Sequence, residues 1–265
     1  MPRTSRWNMK PVTDGVMEVE ITSWKYFHDF VRQEMLDFFN YVWRGQRDSQ
    51  WTLESSLDRQ LRNNRLGSVQ KTRAHLNRFK QSVRGRRGQS PVKIEDDNEW
   101  WALGQHHGLA TPLLDWTESP FVALYFAFES AQRPAGRSRA IWAVGSLGKK
   151  NKEIIDAHKT KIPLPSIAEA TLEFIRPFQD ENARLVAQAG LFTKAPLGET
   201  VDGWVRSNFT GESQAAHLLK ISVPELGRTD CLRTLNKMNI NHLSLFPDMY
   251  GSSLHCNKAL EIDKY

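Results

Sequence analysis

Cysteine is scarce. Cys231 and Cys256 are the only two in 265 residues, too few for a disulfide framework or a cysteine-rich zinc site. Each is expected to be a small buried residue, and redox chemistry is disfavoured. Long apolar runs are also missing: none approaches the ~20 residues that cross a bilayer, so no membrane partner is expected. Behind the charged N-terminus, Met1 to Asn8, there is no apolar core or small-residue cleavage site, which leaves a cytoplasmic location as the expectation. The chain lacks a phosphate-binding Gly-x-x-x-x-Gly-Lys-Ser/Thr loop, a Gly-x-Ser-x-Gly nucleophile elbow and a His-Glu-x-x-His zinc helix. His106 and His107 cannot both face one ion from a regular element, because adjacent side chains point apart, so no metal is expected. Neither a fixed-period repeat nor a composition shift divides the chain, which reads as a single domain.

The chain is long enough to bury a core without staples, with 40% apolar and 25% charged residues. Its formal charge of +6 and pI near 9.3 suit an anionic partner. That excess is concentrated: from Asp58 to Lys93 eleven Lys or Arg face the single acid Asp58. Arg73, Arg78, Arg84, Arg86 and Arg87 are the candidates for nucleic-acid binding, by contacts that release condensed counterions. The competing reading is a solvated face. Aromatic residues are sparse within Arg84–Lys93, so base stacking is not indicated there.

Periodicity places the elements. Residues 1–20 read as an arm leading into a strand at Val16–Ile21. Ser23 caps a predicted amphipathic helix through Trp24, Phe27, Val31, Met35 and Phe38 to about Asn40. Tyr41-Val42-Trp43-Arg44-Gly45-Gln46 is β-prone, and its arginine before a glycine suits phosphate or carboxylate recognition as well as it suits a strand-end ion pair. Residues 54–98 read as a basic helical insertion with breaks near Asn63-Asn64, Gly67 and Gly85. Further strands are expected at Ala140–Val144, Leu172–Pro177, Leu191–Thr193 and Leu218–Val223. Between them come a polar surface excursion over Gly148–Pro165, a short helix from Asn182 to Gln188, and a helix capped by Thr229 from Asp230 to about Met238. Phe246–Gly251 is expected to close the core as a turn.

Polar chemistry and apolar bulk meet between Trp100 and Phe128. A helix at Glu99-Trp100-Trp101 should turn at Gly108, and Thr111-Pro112 favours an extended chain leading into a strand at Leu113–Trp116. Ser119-Pro120 then fits a cap and first turn of a buried helix over Phe121–Phe128. Asp115, set between Leu114 and Trp116, must be hydrogen-bonded, paired with Arg44 or Arg184, or shifted in pKa. His106 is either a satisfied histidine near the core or a general base.

These residues resemble the FRG domain family, named for a Phe/Tyr-Arg-Gly signature that Trp43-Arg44-Gly45 reproduces with Trp in the aromatic place. A second signature, approximately Gln-His-x-Gly-x-x-Thr-x-Leu-Leu-Asp-Trp-Thr-x-Ser-Pro-x-x-Ala-Leu-x-Phe-Ala, is matched from Gln105 to Ala127. A third is matched by Asn182, Arg184, Gln188, Gly190 and Phe192, and the Phe-Pro-Asp ending by Phe246-Pro247-Asp248. Pro112 departs from the family's arginine at that place.

The resemblance implies a single α+β domain over 21–265, with flanking helices around a central mixed or antiparallel sheet, split as in ADP-ribosyltransferases. On that analogy NAD is the cofactor. Arg44, His106, Asp115 and Gln188 would be catalytic; Gly45, Gln46, Gln105, Thr111, Trp116, Thr117, Ser119, Asn182 and Arg184 would join Arg44 in binding NAD. Gln188 stands near the usual catalytic glutamate and cannot act as a base, so Asp115, Glu129 or Glu173 would replace it. Three readings follow: an ADP-ribosyltransferase or NAD glycohydrolase acting as a toxin or defence effector on nucleic acid or protein; a non-catalytic module binding nucleotide or nucleic acid; and a metal-free hydrolase or nuclease using His106 and Asp115.

Overall fold

One mixed sheet of eight strands organises the α+β chain, whose computed structural model describes residues 5–62, 68–158, 170–177 and 183–265. The strands are β1 (Trp7–Met9), β2 (Val16–Ile21), β3 (Val42–Gln46), β4 (Leu113–Thr117), β5 (Ser138–Val144), β6 (Glu173–Ile175), β7 (Gly190–Lys194) and β8 (Leu218–Pro224). They lie side by side in the order β1-β2-β8-β5-β3-β4-β7-β6, with β2 and β8 parallel and the other neighbours antiparallel.

The ladders are unequal. On one side of β3 the register with β5 runs unbroken from Val42↔Val144 to Gln46↔Ala140. On the other side β3 meets β4 at the single pair Trp43↔Thr117, although β4 pairs along its whole length with β7. Beyond Trp43 the two strands part.

Ser119 and Pro120 start α5 (Pro120–Phe128) as the sequence predicts: the Ser119 hydroxyl accepts from the Val122 N–H and Pro120 occupies the first turn. Ala123, Tyr125, Ala127 and Phe128 are wholly buried against Trp43, Ile141 and Ala143. The fit is close enough to dictate Gly45. A Cβ there would lie 1.9 Å from the Ala123 carbonyl oxygen and 2.5 Å from the Ala127 nitrogen. Close approach of the α5 backbone is therefore what requires glycine here. Because side chains alternate along a strand, Arg44 and Gln46 share the opposite face with Val42. That face packs Val42, Leu53, Leu114, Trp116 and Trp142 into a second core cluster.

Several expectations need correcting. Trp7–Met9, placed in the arm, pairs with β2 as an edge strand. Ser23 caps as expected, but the following helix passes from a 3-10 turn (Trp24–Tyr26) through α1 (Phe27–Phe30) into a π-turn (Val31–Met35) and stops. The wider π-turn takes the apolar series off its face, and Phe38 and Phe39 end up exposed.

The basic insertion holds α2 (Ser56–Leu61), α3 (Ser68–Ser82) and the start of α4 (Asp97–His106), while the breaks at Asn63-Asn64 and Gly67 lie outside the described residues. The polar excursion begins as a helix, α6 (Gly148–His158), whose Ile154 packs on the second cluster. Gly227, in a left-handed conformation at φ 84°, takes the capping place expected of Thr229, so that helix runs Arg228–Lys237. Asp248 does not close a turn: its carboxylate accepts from the Gly251 N–H and caps a further helix, Met249–Glu261. Another unexpected helix, Val201–Asn208, buries Val201, Trp204 and Val205. The Met249–Glu261 helix leaves Met249, Tyr250 and Leu260 exposed, so apolar periodicity could not announce it. Cys231 is buried as expected, whereas Cys256 is exposed; both are free thiols. Among the described residues no helix is long and apolar enough to cross a membrane.

Candidate functional site

The parting of β3 from β4 leaves a cleft of about 1100 Å³. Arg44, Gly45, Gln46, Asp115, Trp116, Thr117 and Gln188 line it, so seven of the residues singled out in the sequence come together. Arg44 lies at the opening of the strands. Its Nη1 donates to the main-chain oxygen of Asp115 at 2.6 Å and lies 3.5 Å from the Asp115 carboxylate. The guanidinium thus spans the gap that a continued ladder would have closed. Its Nε is buried with no protein partner, and 21% of the side chain remains exposed. Burial pushes the Arg44 pKa down and Asp115 pulls it back up, with Arg59 adding a smaller downward push. Arginine remains a cation throughout.

Asp115 is not the buried carboxylate the sequence suggests. Strand alternation turns its side chain away from Leu114 and Trp116, and 63% of it is exposed. It is nonetheless tightly held: Gln105 Nε2 donates to Oδ1 at 2.7 Å, and the Thr111 hydroxyl in turn donates to Gln105 Oε1. Thr111, Gln105, Asp115 and Arg44 therefore form a polar chain from α4 across β4 to β3. Trp116 Nε1 donates to the Thr193 hydroxyl, Thr117 Oγ1 to the Gln188 carbonyl, and Gln188 Nε2 to the Leu245 carbonyl. Gln46 donates to Thr52 O and accepts from Trp142 Nε1. These groups shape the cleft and spend their hydrogen-bonding capacity doing so.

Other predicted residues lie elsewhere. Ser119 caps α5. Arg184 pairs with Asp248 at 2.5 Å, not with Asp115, and stacks over Phe246 and Tyr250. His106 lies close enough to Asp248 to help hold that carboxyl below its usual range, after the Gly251 N–H and Arg184. Glu173, on β6 at the end of the sheet, accepts from Asn98 Nδ2. Asn182 lies outside the described residues. Arg73, Arg78, Arg84 and Arg86 are exposed, and with Arg87 they sit on α3 and the loop after it, away from the cleft lining.

The sequence reading passed over Arg47, Trp51, Glu54 and Phe126, and counted Arg59 and Arg62 only as bulk charge; all six line the cleft. Proximity was the available signal for Arg47, which directly follows Arg44-Gly45-Gln46. It stacks over Trp51 at 4.6 Å. Arg62 pairs with Glu54, and Arg59 donates to the Glu54 carbonyl. Opposite them is Glu129, just beyond α5. Its carboxylate lies 3.1 Å from His242 Nε2, and His242 Nδ1 is 2.7 Å from the Tyr125 hydroxyl. Desolvation raises the Tyr125 pKa, so the phenol stays protonated.

Residues 39–135 match the family model of the FRG domain, with Arg44, Gly45, Asp115 and α5 inside the matched segment. No curated protein and no solved structure matches the chain.

Proposed function

We propose that the cleft binds a diphosphate-bearing nucleotide, with NAD the ligand on which the chain acts, as an ADP-ribosyltransferase or NAD glycohydrolase. The observation that carries this reading is Arg44: a buried Nε without a partner, in a cleft that also presents Arg47, Arg59 and Arg62. A diphosphate offers an acceptor that the Arg44 Nε lacks, while Arg47, Arg59 and Arg62 keep further N–H donors beyond their contacts to Gln132 and Glu54. The volume of about 1100 Å³ is enough for a dinucleotide, small-molecule sites being commonly about 300–1000 Å³. Trp51, Trp116, Phe126 and Phe246 give apolar and aromatic surface for ring systems. The residues present fit the group.

NAD would supply a glycosidic bond to a cationic leaving group. In this reading Arg44 and Arg47 hold phosphate, and the Thr111–Gln105–Asp115 chain fixes Arg44 in place. Gln188 is an amide with its donor committed to Leu245, so a carboxylate must come from elsewhere. Glu129 is that group: His242 orients it, and it would stabilise positive charge as the bond to the leaving group weakens. The hydrolase built on His106 and Asp115 finds less support, since His106 does not line the cleft and Asp115 is engaged by Gln105 and Arg44.

The test is nicotinamide release from NAD by purified protein, alone and with RNA, DNA or cell lysate. Release that is lost in Arg44→Ala and Glu129→Gln is the expected result. Absence of both release and ADP binding under every condition would refute the proposal.

A further inference from the structure

Away from the cleft, a groove of about 400 Å³ lies between α3, the loop after it and α4. Lys80, Val83, Arg84, Arg87, Pro91 and Trp100 line it, and it shares no lining residue with the larger cleft. Trp100 comes from α4, outside the basic run, so its place beside these cations is a tertiary fact. Its ring is fixed by an Nε1 hydrogen bond to the Ile94 carbonyl and by the edge of Phe79. Lys80 Nζ lies 5.7 Å from the ring centre and the Arg87 guanidinium 5.2 Å.

From Ser68 to Lys93 the chain has eight Lys or Arg and no acid. Of the acids that follow, Asp97 is paired with Lys80 and Glu95 with Lys93, and Asp96 caps α4. Lys71, Arg73, Arg78, Arg84 and Arg86 remain exposed along the helix and loop.

We infer that this groove is a binding site for single-stranded nucleic acid, one unstacked base seating against Trp100 and Arg87 while the backbone follows Arg84, Arg86 and α3. A positive track beside an aromatic platform is the arrangement that binds single strands. An acidic peptide would satisfy the cations but would make no use of the cation-flanked indole. A duplex keeps its bases stacked and offers nothing to a narrow concave groove. The site is independent of the nucleotide cleft and needs no NAD.

The experiment is fluorescence anisotropy of the full chain with a labelled oligo-thymidine strand, its RNA counterpart and a duplex of equal length, over a salt series. Single strands are expected to bind better than the duplex and to weaken with salt. Trp100→Ala should weaken binding roughly fivefold or more at an unchanged salt slope, as loss of base stacking does. Trp100→Phe should retain binding, which separates stacking from a packing defect in the alanine variant. Joint Arg84→Ala and Arg86→Ala, both exposed, should flatten the slope of log K against log salt by about 1.4, two contacts at ~0.7 each. Excess ADP should not compete. Equal affinity for duplex and single strand, an unchanged affinity in Trp100→Ala, or displacement by ADP would each overturn the inference.

Discussion

Arg139 on β5 and Arg44 on the adjoining β3 are both set into the sheet, and they differ in how fully their donors are used. Arg139 is completely buried. Its Nε donates to Glu225, Nη1 to the Ala127 carbonyl, and Nη2 to the Ser130 and Gln132 carbonyls. Arg228 reaches the carbonyls of Phe128, Glu129 and Ser130, and Lys258 adds a second donor to Glu129 O. Three cations thus close the C-terminal end of α5, where unpaired carbonyls concentrate negative potential. Arg44 instead faces a gap in the sheet with one nitrogen unpaired. A satisfied buried arginine holds a fold together; an unsatisfied one at a cleft is available to a ligand. The two regions meet at Glu129, whose main chain is clamped by the first and whose carboxylate lines the second.

The contrast can be broken by mutation. The largest effect is expected for Arg139→Ala, which strands Glu225 and three carbonyls. Loss of a partner from such a buried pair costs about 3–5 kcal/mol, readable by denaturant unfolding, and a variant as stable as wild type would contradict the clamp. Gly45→Ala comes next. Its Cβ collides with the α5 backbone, so destabilisation of about 1–3 kcal/mol and a lower melting temperature are expected.

Arg44→Ala should invert the pattern. Nucleotide affinity should fall at least about tenfold, equivalent to about 1.4 kcal/mol, while stability changes less than in either variant above. Gln105→Ala should cost about 1 kcal/mol of stability and weaken nucleotide binding less than Arg44→Ala, since it frees Asp115 and the Thr111 hydroxyl but leaves Arg44 in place.

The smallest effect concerns pH. Asp248 is held below its ordinary value of 3.8 first by the Gly251 N–H and then by Arg184. A depressed carboxyl stabilises the folded state above its unfolded pKa and loses that contribution as pH falls through the folded value. The melting difference between wild type and Asp248→Asn should therefore be full at neutral pH and vanish at acid pH below 3.8. A constant difference would show that the ionised form is not what matters.

Where local chemistry decided structure, the sequence was readable. Ser119-Pro120 announced α5, the local sequence announced seven of the eight strands, and Arg44, Asp115 and Gln188 were recognised before their convergence was visible. What escaped were tertiary facts. The single Trp43↔Thr117 pair that opens the cleft depends on register between strands some 70 residues apart, a figure set by the chain positions 43 and 117. Asp115 looked buried because its neighbours are apolar, yet period-two alternation sends it to solvent. Glu129 was among the candidate carboxylates, but its contact with His242 was not visible in the sequence, and Trp100 joined the basic groove from another helix. Neither relation leaves a trace in local spacing.

Calorimetric titration of NAD and ADP into wild-type protein and Arg44→Ala, with unfolding curves for both, tests the central claim most directly. The account predicts that the wild type binds both ligands and that the variant, folded to nearly the same stability, binds them at least about tenfold more weakly. Equal affinity in the two proteins, or no binding to a folded wild type, would contradict it.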